Sequence, residues 1–347
     1  MVNIGLLVMV LEFRGETFNR EFRVLDHYYL ELYDNSLAVV TGNCHYNTSI
    51  VGYVKYRLSS TEKLWKGIFG FYNRVVKQYT IPQVYGSTCW RTYAIAYGAE
   101  VPVIPVSMVK RIYDPIEKMK QIISVVRDEL EIVSLEAISE IMYSTNAYNK
   151  VGLTGSLLVG IHNPRVSDID IVVYGLKESR DVVEFINENP SIFKDMRNDG
   201  FRAWCLRVSE LTGLTPTEAS LFYRRWRRGV FRGREYSISY NDGIYRSMEN
   251  SEKWINIGFI EGLVLFEGRL EALNYPSIGF IESFEYRGGV KPCSDPIYVL
   301  SFEALYTPVF YEGGKCMVRG LLQVNDEGVC RILVGIRETH SYIKWLV

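Results

Sequence analysis

The stretch Val151-Gly152-Leu153-Thr154-Gly155-Ser156, followed twelve residues after the serine by Asp168-Ile169-Asp170-Ile171-Val172-Val173, decides how the centre of this chain folds. Two carboxylates at i and i+2 of a β-strand project from the same face, so Asp168 and Asp170 can bind the same divalent cations while Ile169 and Ile171 turn into a core. Upstream, residues 151 to 154 read as a short strand, and Gly155-Ser156 as a tight turn whose backbone N–H groups can face a triphosphate. Residues 157 to 162 then read as a short helix behind that turn. An Asp-x-Asp triplet alone is common on exposed strands, and it is the turn, the spacing and the apolar flank together that give it chemical weight. Ser156 also suits a helix N-cap, where its hydroxyl would satisfy an orphan amide, and the two roles are compatible. His162 and Asn163 fall in the loop between the motif halves and read as loop-shaping residues.

The pattern Gly155-Ser156…Ser167-Asp168-Ile169-Asp170-Ile171 resembles the active-site signature of the DNA polymerase beta-like nucleotidyltransferase superfamily. The longer run from Thr154 to Pro164, with Val172-Val173-Tyr174-Gly175, is similar to a group of archaeal predicted nucleotidyltransferases. Weaker similarity lies in His45, residues 52 to 57, Ile112-Tyr113-Asp114-Pro115 and Met317 to Leu322. The resemblance implies a metal-dependent nucleotidyltransferase that moves a nucleoside monophosphate from a nucleoside triphosphate to an acceptor hydroxyl and releases pyrophosphate. In that reading Asp168 and Asp170 are catalytic and hold two Mg²⁺ ions, hard cations that prefer carboxylate, phosphate and water oxygens. Gly155 and Ser156 would hold the β- and γ-phosphates, with Arg224 and Arg228 as helpers in nucleotide binding.

Members of that superfamily usually add a third carboxylate on a neighbouring strand. Here residues 234 to 240 alternate, which places Glu235 on the polar face with Ser237 and Ser239; Glu235 is the third catalytic candidate and Asp242, just past the strand, its rival. The expected partners are a nucleoside triphosphate and an acceptor, RNA or DNA among the candidates. Two alternatives stand beside this: a transferase acting on a protein or small molecule, and a non-catalytic nucleic-acid-binding protein with a retired transferase domain. Neither the acceptor, the base preference nor the oligomeric state is written in the residues.

Composition bounds the rest. With 347 residues, 48% of them apolar and 23% charged, the chain can bury a large core but exceeds one comfortable domain. A net charge of −1 offers no global basic field, so nucleic-acid contact would need a local patch. One is present: Arg224, Arg225, Arg227, Arg228, Arg232 and Arg234, interleaved with Trp226 and Phe231, could bind phosphate and stack bases, or could form a solvated, acid-paired face. Six scattered cysteines without a C-x-x-C pair argue for reduced buried thiols rather than structural zinc. The apolar opening Met1 to Leu11 lacks a basic lead and is ended by Glu12 and Arg14, so it reads as a buried strand. The expectation is a cytoplasmic protein without a membrane partner.

The expected fold is α+β, in three parts. Residues 1–112 are rich in short β runs, including 28 to 32, 37 to 41 and 50 to 57. Residues 113–246 form a polymerase beta-like nucleotidyltransferase domain, a mixed sheet with helices. The helices are expected from Pro115, around Leu135 to Tyr143, over Ser179 to Asn187, and from Thr215 to Arg228, with Gly229 closing the last. Residues 247–347 return to five strands with glycine-rich turns, which suggests a small β-barrel or sandwich.

Overall fold

Alternation along the aspartate strand explains the centre of the molecule. In the computed structural model, which describes residues 23–61 and 64–346, this strand spans Ile169–Tyr174. Ile169, Ile171 and Val173 are fully buried against two helices, Glu129–Ser144 and Leu176–Glu188. The second helix buries Ser179, Val182, Val183 and Ile186, the i, i+3, i+4, i+7 stripe of an amphipathic helix packed on a sheet. The even residues face the other way, and Val172 and Tyr174 are as buried as their neighbours because a second sheet covers that side. Asp170 shares the even face at the strand's start, where the cover opens.

Val151–Leu153 pairs antiparallel with one edge of the aspartate strand, and Arg234–Asn241 runs parallel along the other. A parallel neighbour needs a crossover, and the Leu176–Glu188 helix lies within it. Arg228–Phe231 and Phe193–Lys194 complete the five-stranded mixed sheet.

The covering sheet has eight strands and comes from the N-terminal part. Its long strand, Ser49–Ser59, meets Ala99–Pro105 at one end, Gly70–Arg74 at the other and Leu37–Val40 in between. In the C-terminal part Trp254–Glu267 pairs with both Ser277–Gly289 and Gly314–Asn325. Through Tyr298–Ser301 and Cys330–Val334 the pairings close into a ring, with Tyr342–Trp345 added to Gly314–Asn325. Ile260, Val264, Phe266, Val318, Leu322 and Ile332 form its core with Val309 and Phe310.

The fold is thus α+β, with corrections to detail. The helix expected to run to Arg228 ends at Ser220; its Thr215 capping box is formed, but Leu221 to Arg227 make turns and Gly229 lies inside a strand. Trp226 is pulled into the core there, which overrides helical propensity. A helix over Asn198–Thr212 was not expected, because its buried face is thin, with Cys205 and Val208 alone buried. Among the glycine-rich turns expected in the C-terminal part, the one at Gly288-Gly289 is instead the end of a strand. Two of the cysteines expected to be buried, Cys89 and Cys293, are exposed. The strand expected over Met1 to Leu11 lies outside the described residues. Among those described, no helix is long and apolar enough to cross a membrane.

Candidate active site

Between the mixed sheet and its cover lies a cleft of about 970 Å³, lined by residues from all three parts of the chain. Gly155, Ser156, Asp168 and Asp170 stand together in its wall. The turn is tied to the aspartate strand by Thr154 N donating to the Asp170 carbonyl at 2.9 Å. Gly155 has φ +65°, and a Cβ built on it would lie 2.0 Å from Asp170 Oδ2. The position therefore demands glycine twice over, by backbone conformation and by the nearness of the carboxylate.

The helix expected over residues 157 to 162 covers only Gly155–Leu158. Its N-cap position is held by Thr154, not Ser156. The Ser156 hydroxyl instead sits 3.4 Å from Ser167 Oγ, which accepts from Asn163 N at 3.0 Å, so it braces the loop that leads to Asp168. His162 joins that loop to Asp128, the N-cap of the Glu129–Ser144 helix, at 2.7 Å. His162 and Asn163 do shape the loop.

Asp168 is open to the cleft, and the Asp170 carboxylate beside it pushes its carboxyl up to about 6. Partial burial adds to that push, and the Lys55 and Arg74 cations oppose it. Asp170 Oδ1 accepts from Ser237 Oγ at 2.6 Å, across the parallel pair that places Asp170 opposite Ser237. Two carboxylates that repel one another, facing the buried Lys55 and the half-buried Arg74, form a site that welcomes positive charge between them and anions opposite.

The sequence assigns no functional role to Lys55, which lies in the stretch 52 to 57 noted for its similarity, or to Arg74 and Tyr79. Lys55 is 9% exposed, its ammonium 5.6 to 5.7 Å from the rings of Tyr29, Tyr56 and Tyr79. Burial would raise the Tyr79 phenol, but the Lys55 and Arg74 cations outweigh it and hold the phenol below its ordinary range. Arg74 donates to that phenol. Alternation in Val51 to Arg57 could have flagged a lysine on a strand face, but nothing local says that the face opposes Asp168.

Glu235 shares the face of Ser237 as expected, but it is exposed and outside the residues lining the cleft. Asp242 is engaged elsewhere, accepting from Asn43 Nδ2, the Ile244 amide and Arg246. Among the described residues no third His, Cys, Asp or Glu joins the aspartates in a metal-ligating group. The arginines divide. Arg224 pairs with Glu312, Arg225 with Asp195, Arg232 with Glu136, and Arg234 reaches Glu129 at 3.9 Å, as a solvated, acid-paired face would have it. Arg224, Arg227 and Arg228 nonetheless line the cleft. Burial, then neighbouring Arg228, pulls the Arg227 guanidinium down to about 10, and it donates to the Ala304 carbonyl.

Glu303 lines the cleft too, and burial pushes its carboxyl up to about 7. An unfolded glutamate titrates near ~4.3, so the native state holds this proton more tightly. The stability it contributes is complete below that value and is lost as pH rises through about 7. Glu303→Gln should therefore melt higher than the parent at pH ~8 and alike near pH ~4. Parallel melting curves at both would show that Glu303 is not the titrating group.

No protein-family model matches the chain, and neither curated proteins nor solved structures include a significant match to it.

Proposed function

We propose that the protein is a metal-dependent nucleotidyltransferase of the polymerase beta-like kind, acting on a nucleoside triphosphate and an acceptor hydroxyl. The observation that carries this is the meeting of Gly155 with the Asp168 and Asp170 pair, in a cleft whose facing wall presents Lys55 and Arg74. The donor set suits Mg²⁺: two hard oxygen ligands that repel each other, and a glycine that leaves space beside one of them where any side chain would intrude. Asp168 and Asp170 would hold the Mg²⁺, which would supply charge neutralisation at the phosphates.

The chain's own residues do the rest by positioning. Lys55 and Arg74 attract the triphosphate from across the cleft, and Arg227 and Arg228 extend the cationic lining. The acceptor hydroxyl attacks the α-phosphorus, a new P–O ester bond forms, and the bond to the β-phosphate oxygen breaks, releasing pyrophosphate. The acid-paired arginines weigh against the retired nucleic-acid-binding alternative, since Arg224, Arg225 and Arg232 already have carboxylate partners.

The direct test is incubation with each ribonucleoside triphosphate labelled at the α-phosphate, Mg²⁺, and total RNA and protein, to identify what becomes labelled. No label in any fraction, together with no Mg-nucleotide binding, would sink the reading. Lys55→Met should weaken Mg-nucleotide affinity about tenfold or more, because it removes a desolvated charge-assisted contact. Calorimetry with unchanged affinity would remove Lys55 from the site.

A further inference from the structure

Two residues beyond Ser237, on the same strand face, the structure holds a linked Asp–His–Ser chain. Ser239 Oγ lies 3.0 Å from His27 Nε2, and His27 Nδ1 lies 2.7 Å from Asp26 Oδ2. All three line the cleft, and Ser239 stands about 7 Å along the strand from Ser237, the partner of Asp170. Asp26 is 1% exposed and its Oδ1 accepts from Gly42 N at 2.8 Å, so the carboxylate is fixed. An ionised carboxylate only accepts hydrogen bonds, so Nδ1 carries the proton and, in the neutral ring, Nε2 is left with its lone pair toward the cleft. Ser239 then donates to it.

The backbone of His27 is itself constrained. Its φ is +66°, a conformation that side-chain-bearing residues seldom adopt. His27 N donates to the Val40 carbonyl, and the His27 carbonyl accepts from Thr154 Oγ1 at 2.8 Å. Thr154 is the residue before Gly155, so the histidine is anchored to the same turn that meets Asp170.

We propose that His27 is the general base of the transfer, with Asp26 as its positioning residue, a role that rests on the nucleotidyltransferase reading above. The acceptor hydroxyl takes the place of Ser239 at Nε2. As its oxygen bonds to the α-phosphorus, its proton passes to Nε2, and the electron pair of the breaking P–O bond leaves with pyrophosphate. The imidazolium is stabilised by Asp26, and His27, its side chain 32% exposed, returns the proton to solvent. This supplies a base where, among the described residues, no third carboxylate gathers with the aspartate pair.

The test uses water and glycerol as probe acceptors, pyrophosphate release as turnover, and calorimetry for Mg-nucleotide binding. His27→Ala and His27→Gln should each lower turnover by about 10²–10⁴-fold with affinity nearly unchanged, and added imidazole should restore part of the rate to His27→Ala alone. Gln can keep the contact with Ser239, which controls for a folding defect. Parental turnover in both His27 variants, or a loss without imidazole rescue, overturns the proposal, as does nucleotide found covalently on Ser239. Asp168-dependent binding without pyrophosphate release to either probe overturns the role of His27 and leaves the nucleotide site standing. Absence of Mg-nucleotide binding in the parent protein overturns the transferase reading, and the base with it.

Discussion

Asp168→Asn and Asp170→Asn are each expected to abolish Mg²⁺-dependent nucleotide turnover, by on the order of 10³-fold or more, because the Mg²⁺ proposed to neutralise the phosphates would lose one of the two carboxylates offered to it. For Asp168 the effect on stability should have the opposite sign. The neighbouring Asp170 and partial burial push its carboxyl up to about 6, so at neutral pH its ionised form costs the metal-free protein stability. That cost is absent below the unfolded value near ~3.9 and is fully felt above about 6. Removing the charge relieves the repulsion, and Asp168→Asn should melt higher than the parent at pH ~8 without metal, with the difference vanishing near pH ~4. An inactive variant that is also more stable cannot be explained by misfolding. Calorimetry showing parental Mg-nucleotide affinity in both variants would end the metal-site assignment.

Gly155→Val should be the most damaging single change in the turn. Its φ of +65° is costly for a β-branched residue, and its Cβ would collide with Asp170 Oδ2 at 2.0 Å. The turn must shift, at about 1–3 kcal/mol in stability, and the shift moves the carboxylate that the chemistry needs. Mg-nucleotide binding should fall by about two orders of magnitude or more, since misplacement of about 1 Å suffices for such a loss. Ser156→Ala loses one hydroxyl contact to Ser167 and should cost about 1 kcal/mol in stability, with a smaller effect on binding. Normal binding by Gly155→Val would show that the turn does not shape the site.

Much of this site is local and was therefore legible from the residues alone. A period of two puts Asp168 and Asp170 on one face whatever surrounds the strand, and the glycine, serine and apolar flank lie within a short stretch of chain. Pro115, Thr215 and the helix periodicities are local too, and the helix starts they mark are observed. The arginine run shows the limit of such reasoning. Six arginines in sequence suggested one surface, but the chain turns after Ser220, enters a strand at Arg228 and reverses at Arg232 and Gly233, so the guanidinium groups are dispersed.

By itself the sequence determined the α+β character, the Gly155-Ser156 turn and the same-face aspartates, because each depends on backbone geometry over a few residues. Only the tertiary structure decided what faces them. Lys55 and Arg74 are cations beside Asp168 because Ser49–Ser59 and Gly70–Arg74 pair within a sheet that covers the aspartate strand. Ser237 opposes Asp170 because a parallel crossover sets that register, and His27 meets Ser239, 212 positions away, because two sheets close on one cleft. Contacts of that range carry no local signal: hydrophobic burial on both faces of the sheet brings them together, and the chain between them leaves no periodicity from which to read the pairing.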